Sequence, residues 1–357
     1  MRECIVVTGG GTGGHVYPVL AVLDEMPSIR VVWIGSGSQL ERRILEGRPL
    51  RYYGIPTGKL RRYFSLQNII DLFKFVAGFF ASLVILLREK PKLVFSKGGY
   101  VSVPPVAAAR LLRVPSITHE SDLRPGLATR INSRFADRVL VSFPGSGEFF
   151  DERLRGKVIH TGNPIRKILL SGDGQKGRAL FGCPANQPLL LVLGGSLGSA
   201  SINRLVLDAM DRLRRNCFVV HQLGSGHLDG MQAQSNYYPA SYFHDDLAHI
   251  FAAADLVLCR SGANTLWELA ALGKPSVLIP LPLGSSRGDQ IENAEFFAQA
   301  GAATVLQQEG LTSDRLAEVV LHLLGNADKL ERMGRRALEL SRPDAASRIA
   351  QLILRSE

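Results

Sequence analysis

The sequence predicts an α/β protein of two tandem doubly wound, Rossmann-like domains, and three observations predict it. The chain has 357 residues, more than one average domain and enough for two that each bury a core. Short runs rich in Val, Ile and Leu alternate with longer helical patterns, as in parallel βαβ units whose sheet is covered on both faces. The plan then restarts at Pro188, where "PLLLVLGGSLGSASINRLVLDAM" repeats the order strand, glycine loop, helix first met in "CIVVTGGGTGGHVYPVL" at residues 4–20.

The expected strands of the first half are residues 5–8, 31–34, 93–96, 116–118, 138–141 and 157–160. Those of the second half follow the Pro188 run at 218–222, 256–259, 276–279 and 302–306. The crossover falls in "HTGNPIRK", residues 160–167, because Pro164 has no N–H with which to continue a ladder. The domains are therefore expected at 1–163 and 164–341, and Pro343 sets off a last helix over about 342–357. Ligands of such sheets lie beyond the carboxyl ends of the strands, so an active site is expected in the cleft between the two domains.

Composition excludes several classes. Hydrophobic residues at 46% and charged residues at 21% are ordinary for a globular enzyme. Cys4, Cys183, Cys217 and Cys259 are scattered with no CxxC pair, which reads as free buried thiols in a reducing compartment. The first residues form a strand rather than a charged segment and an apolar core, so no secretory signal is expected and the chain is expected to stay inside the cell. The longest apolar run, residues 75–87, is too short as a helix to cross a bilayer core of about 30 Å. The net charge of +10 fits nucleic acid, an anionic membrane surface or an acidic substrate. The basic residues are dispersed and no nucleic-acid motif is present, so nucleic acid is not expected as a partner.

Five glycines fill positions 9–14. Gly9, Gly11 and Gly14 fit the dinucleotide fingerprint, but that fingerprint wants a carboxylate at the end of the second strand. The strand ends in Gly35, Ser36 and Gly37, with no carboxylate until Glu41, which argues against nicotinamide or flavin. What remains is an anion seat, with backbone N–H groups at a helix N-terminus and no Cβ in the way. The second loop, Gly194 to Ala200, repeats the logic, and Ser196 adds a hydroxyl. A third seat is the helix opening near Asn264 and Thr265 after Gly262. One turn in, Glu268 is either a ribose-hydroxyl acceptor or a solvated helix residue.

The ordered set "GGGTGGHVYP", "KGGYVSVPP", "HESDLRPG", "GNPIR", "GGSLGSASIN" and "RSGANTLWE" spans essentially the whole chain and resembles the MurG family. These are peptidoglycan glycosyltransferases that add N-acetylglucosamine to undecaprenyl-pyrophosphoryl-N-acetylmuramoyl-pentapeptide, the lipid I of cell-wall synthesis. The resemblance implies the two-domain glycosyltransferase-B fold, with the lipid acceptor on the first domain and UDP-N-acetylglucosamine on the second. The last helix then crosses back onto the first domain. Residue by residue, it assigns Thr12, Gly13, Gly14, Asp122, Arg166, Ser196, His244, Ala263, Asn264, Thr265, Leu266, Glu268 and Gln290 to the nucleotide sugar, His244 through the backbone that reads the base. It seats the acceptor's pyrophosphate on Gly11, Gly13, Gly14, Gly98, Gly99 and Tyr100. Many members carry H-E-Q-N where this chain has His119, Glu120, Ser121 and Asp122; an ionised Asp122 accepts hydrogen bonds but cannot donate them as an amide does. Asp289 likewise stands where some members have a glutamine.

Such an enzyme inverts the anomeric carbon of UDP-N-acetylglucosamine by attack of the muramoyl 4-hydroxyl. His15, at the lip of the first loop, is the candidate general base, because imidazole titrates near the working pH. A helix-entry residue bonded to the acceptor is its plainer role, and Glu120 is the rival base. The helix N-terminus at Asn264 and Thr265, with Ser196, stabilises the leaving UDP. No metal and no cofactor are expected, since no Asp-x-Asp or clustered ligand spacing occurs. Basic residues Lys59, Arg61, Arg62 and Lys74 beside Phe64, Phe73 and Phe75 suit docking on the anionic inner leaflet, while 76–87 is read mainly as a core helix. The enzyme is thus placed peripherally on the cytoplasmic face of the plasma membrane, in reach of other cell-wall and division proteins. The rivals are a transferase for another lipid acceptor such as diacylglycerol, a UDP-N-acetylglucosamine 2-epimerase, and a non-catalytic recruiter of a separate catalytic subunit.

Overall fold

A computed structural model describes residues 3–11, 13–58, 66–195, 198–224, 226, 228, 231–243, 246–284 and 286–356, with the side chains of 66–69 excepted. The chain divides into one unit of Met1–Arg166 with Arg342–Glu357 and a second of Lys167–Ser341.

The first unit contains β1 (Cys4–Thr8), β2 (Arg30–Gly35), β3 (Leu50–Gly54), β4 (Leu93–Ser96), β5 (Ser116–Glu120), β6 (Arg138–Val141) and β7 (Val158–His160). They pair in parallel in the order β3-β2-β1-β4-β5-β6-β7. β1, β4 and β5 are buried along their whole length, as their unbroken apolar runs require when helices cover both faces. One face carries Ile5, Val7, Trp33, Leu93 and Phe95, packed with Val16 and Val19 of the Gly13–Leu23 helix and Ile349, Ala350 and Ile353 of the Ala345–Leu354 helix. The other carries Val6, Val32, Ile34 and Val94 beneath Ile85, Leu86, Val106 and Ala109. Gly162, at φ +83°, is where the returning chain passes: a Cβ there would lie 2.7 Å from Cβ of Arg342.

The second unit contains β8 (Leu189–Leu193), β9 (Phe218–Gln222), β10 (Tyr237–Ala240), β11 (Leu256–Cys259), β12 (Ser276–Leu278) and β13 (Ala303–Val305), all parallel. Their order is β10-β9-β8-β11-β12-β13. Strand order reverses between β1 and β4 in one sheet and between β8 and β11 in the other. Those switch points leave a crevice at the carboxyl ends of the strands, and the glycine loops emerge there.

Two strands lay outside the sequence expectation. β3 (LRYYG) and β10 (YYPA) are the outermost strands of their sheets and mostly half-exposed, so they lack the continuous apolar run that marks the inner ones. All four cysteines are buried and free.

Lys59, Arg61, Arg62 and Phe64 of the expected docking segment lie outside the described residues. The apolar segment that follows differs more. It forms a helix, Leu66–Glu89, of 24 residues, about 36 Å long, so its length does not keep it from crossing a bilayer as the thirteen-residue run suggested. By length and composition its Ile70–Glu89 portion could span, and only 22% of its most apolar window is buried. Nor is 76–87 a core helix. Gly78, Ser82, Ile85 and Leu86 pack inward, while Phe73, Val76, Phe80, Val84 and Leu87 face out, Phe73 at 71% exposure. The helix is fastened at its end: the buried Glu89 carboxylate accepts from Arg30 Nη1 at 2.6 Å, Arg51 Nη1 at 2.9 Å and Tyr53 Oη at 2.6 Å. Tyr53 and the two guanidinium groups pull its pKa down to about 2 against the cost of burial. A helix tied to β2 and β3 by a buried carboxylate lies along the domain surface.

Candidate functional site

In the first unit the glycine loop follows β1 and opens the Gly13–Leu23 helix. Gly11 has φ +89°, which a side chain would strain. Its N–H donates to the carboxylate of Glu41 at 2.8 Å. The same carboxylate accepts from Ser36 N at 2.9 Å, from the Ser36 hydroxyl and from Tyr52 Oη at 2.8 Å, and Glu41 is 1% exposed. Glu41 therefore stands as an internal anion against the loop. The Gly11 N–H expected to bind a pyrophosphate is already used, and the Gly98 N–H likewise donates to Ser96 Oγ at 3.1 Å. Thr12 lies outside the described residues.

His15 is half-buried on the first helical turn, with Nδ1 3.1 Å from the Lys97 carbonyl. A carbonyl only accepts, so Nδ1 carries the proton and Nε2 holds the lone pair. Nε2 faces Gly99, where an added Cβ would lie 3.3 Å from it and 3.3 Å from the Gly10 carbonyl. Tyr100 closes the same crevice beside Gly11. Burial and the Lys97 ammonium lower the His15 pKa, while the charges of Glu120 and Glu41 act the other way. A neutral imidazole whose Nε2 lone pair faces Gly99 is what proton removal from a hydroxyl needs.

Glu120, the rival base, is otherwise engaged. Its carboxylate accepts from the backbone N–H groups of Ser121, Asp122 and Gly126 at 2.8, 3.1 and 3.0 Å, so it organises the 121–126 turn. His119 is buried, its Nε2 3.0 Å from the Gly162 carbonyl, and burial and Lys97 push its pKa well down. Asn163 accepts from the hydroxyls of Ser121 and Ser142 at 3.1 and 3.3 Å. The G-N-P run thus ties the last strand of this unit to the Glu120 turn. Arg166 lies over the Tyr17 ring, 4.9 Å from its centroid. His15, Gly11, Gly99, Tyr100, Glu120 and Asp122 are therefore gathered around one switch point.

In the second unit Gly195 and Gly198 have φ of +87° and +81°, and a Cβ on Gly194 would lie 2.7 Å from the Ser199 amide. Ser196 and His244 lie outside the described residues. Their neighbours are linked by Gln222, which donates Nε2 to the Gly195 carbonyl at 3.2 Å and accepts from the Phe243 N–H at 3.1 Å. Arg260, at the end of β11, donates to Ser199 Oγ and Ser201 Oγ at 2.8 and 2.7 Å and to Gln308 at 2.7 Å. Neither Gln222 nor Arg260 stood out in the sequence; Gln222 ends β9 and Arg260 follows β11, each two residues before a glycine, the one local signal they carry.

The Ala263–Ala271 helix begins at Gly262 with no side-chain cap, leaving its first N–H groups to other partners. Asn264, Thr265 and Glu268 are half-buried along its first turns. The Leu266 side chain is fully buried and its N–H bonds the Gly262 carbonyl at 3.1 Å. Gln290 accepts from Leu281 N at 3.2 Å, and its carbonyl receives the Ser261 hydroxyl at 2.7 Å. Among the described residues no three His, Cys, Asp or Glu side chains gather as metal ligands would.

Comparison with known proteins fixes the family. Residues 5–141 match the glycosyltransferase family 28 N-terminal domain and residues 189–349 its C-terminal domain. A Treponema denticola protein named UDP-N-acetylglucosamine--N-acetylmuramyl-(pentapeptide) pyrophosphoryl-undecaprenol N-acetylglucosamine transferase is 49% identical over 335 residues, 87% of this chain and 86% of its own. The chain belongs to the MurG family. The crystal structure of Acinetobacter baumannii MurG superposes with a TM-score of 0.76 at 28% identity over 99% of both chains. A Neisseria meningitidis UDP-GlcNAc 2-epimerase shares the fold, with a TM-score of 0.70 over 99% of this chain and 100% of its own, but only 14% identity. The glycosyltransferase-B architecture is thus common to both activities, and sequence similarity separates them in favour of the transferase.

Proposed function

We propose that this protein transfers N-acetylglucosamine, with inversion, from UDP-N-acetylglucosamine to the 4-hydroxyl of the muramoyl sugar in lipid I, releasing lipid II and UDP. The 49% identity to a transferase of that name carries the reading, and the orientation of His15 supports it chemically. The 4-hydroxyl gives its proton to His15 Nε2 as its oxygen attacks the anomeric carbon. The bond to the diphosphate breaks with its electron pair on the leaving UDP, whose charge meets the uncapped N-terminus of the Ala263–Ala271 helix and the second glycine loop. Residues 1–166 with 342–357 are the acceptor domain and 167–341 the nucleotide-sugar domain. Asn264, Thr265, Glu268 and Gln290 contact the nucleotide sugar, with Ser196 and the backbone at His244. Gly13, Gly14, Gly99 and Tyr100 surround the acceptor's pyrophosphate, and Asp122 and Arg166 line the approach.

The outward apolar face of the Leu66–Glu89 helix, with exposed Lys74, Arg88, Arg110 and Arg113 near it, docks on an anionic inner leaflet as a peripheral contact. The wider partners are the other cell-wall and division proteins that act on the same lipid. Incubation of the protein with labelled UDP-N-acetylglucosamine and either lipid I or diacylglycerol tests the reading. Label is expected in the lipid I product; label in diacylglycerol, or epimerised nucleotide sugar without transfer, would overturn it.

A further inference from the structure

Lys97 is 1% exposed, and a lysine that far from water needs a reason. Three elements of the first unit hold it. Its N–H donates to the Thr8 carbonyl at 2.9 Å, fixing it to the end of β1. Its stem runs under the glycine loop, where a Cβ on Gly9 would lie 3.2 Å from the Lys97 Cβ, so Gly9 is glycine partly to let this side chain pass. Its ammonium donates to Ser121 Oγ, whose own proton goes to Asn163 Oδ1 at 3.1 Å.

We infer that Lys97 is a positioning residue for the sugar transfer proposed above: its carbonyl orients the His15 ring, and its ammonium sets a fixed positive charge between that ring and the Glu120–Asp122 turn. The inference rests on the transferase reading for its consequence in catalysis, though the coupling of Lys97 to His15 belongs to the fold itself.

The charged groups around this pair come from several elements. His15 faces Lys97, Glu120 and Glu41. Lys97 faces Glu120 and Asp122, which support its charge, while burial draws its pKa down to about 8. His119 also feels Lys97. With its ammonium in place, His15 stays neutral until the acceptor's 4-hydroxyl proton moves to Nε2. The imidazolium then formed sits between the lysine, which repels it, and the two glutamates, which attract it, so the proton is held only briefly and returns to solvent as UDP leaves. At the turn this chain has Ser121 and Asp122, and the Lys97 ammonium donates to the Ser121 hydroxyl while its charge supports the Asp122 carboxylate.

The test follows the His15 ring proton by NMR in the full-length wild type and in Lys97→Met, assigned with His15→Gln. In the wild type His15 titrates below the ordinary imidazole range, and in Lys97→Met its titration moves to higher pH. The acid limb of kcat/KM for lipid I moves upward in step, with kcat lowered on the order of tenfold because the base itself remains. An unmoved His15 titration in a folded Lys97→Met protein overturns the inference. So does a wild-type His15 that titrates at or above its ordinary value, a measurement that needs no variant. Failure of the wild type to glycosylate lipid I would instead sink the transferase reading and leave the NMR result standing.

Discussion

His15 and Glu41 show how differently two residues of one crevice are legible. His15 could be singled out because imidazole chemistry and its place after a glycine loop are both local facts. Its orientation could not, since the carbonyl that sets it belongs to Lys97, 82 positions away. His15→Ala is expected to lower kcat by about 10²–10⁴-fold, whereas Glu120→Gln acts through its turn and costs less. Nearly full kcat in His15→Ala, with none in Glu120→Gln, would reverse the assignment. Glu41 was noticed only as a carboxylate too late for a ribose. Its part in bracing the loop depends on β3, which supplies Tyr52, and β3 itself was not foreseen. Burial and Glu41 push the Tyr52 phenol well above its usual pKa, so it remains a donor at every working pH. Glu41→Gln turns an amide N–H₂ toward backbone N–H groups of Gly11 or Ser36, which can only donate, and is expected to cost about 1–3 kcal/mol. Chemical denaturation measures that loss, and a fall in kcat/KM from loop displacement should accompany it.

At the scale of elements, inner strands were read almost to the residue because burial on both faces demands an unbroken apolar run. The edge strands β3 and β10 escaped, because the Tyr, Arg and Pro of LRYYG and YYPA give no unbroken apolar run, whereas the opposite edges β7 and β13 were foreseen. The Leu66–Glu89 helix was misjudged for a related reason. Its outward residues are as apolar as its inward ones, so hydrophobicity could not say which side meets protein. If the outward face meets lipid, Phe73→Glu with Phe80→Glu should abolish sedimentation with anionic vesicles while leaving transfer to a water-soluble acceptor analogue intact. Raising the salt should weaken wild-type binding by screening the basic rim; salt-independent binding would remove the electrostatic part.

For the molecule as a whole, several buried or half-buried histidines link folding to acidity. His221 is fully buried between Asn203 and Tyr237, and burial holds its pKa down to about 4; His15, His119 and His160 shift the same way. Each folded pKa lies below its unfolded value near 6.5, so the unfolded chain binds more protons as the pH falls. Stability is then full above about 6.5 and declines toward 4, on the order of 3 kcal/mol for His221 alone. Denaturant midpoints measured between pH 7.5 and 4.5 should fall monotonically; a flat profile would remove this account. The unit boundary gives a second expectation. Ile353→Ala should cost the first unit about 2–5 kcal/mol and leave the melting of residues 167–341 unchanged, separable by calorimetry.

That boundary also bears on how the chain comes into being. Residues 345–354 complete a core whose other parts are read from the message more than two hundred codons earlier, since Val19 and Trp33 wait on Ile349 and Ile353. As the ribosome works from the amino end, the second unit, residues 167–341, has all its residues first. The first unit, begun earlier, closes only once residues 345–354 have been made, and until then one face of its sheet lacks Ile349, Ala350 and Ile353.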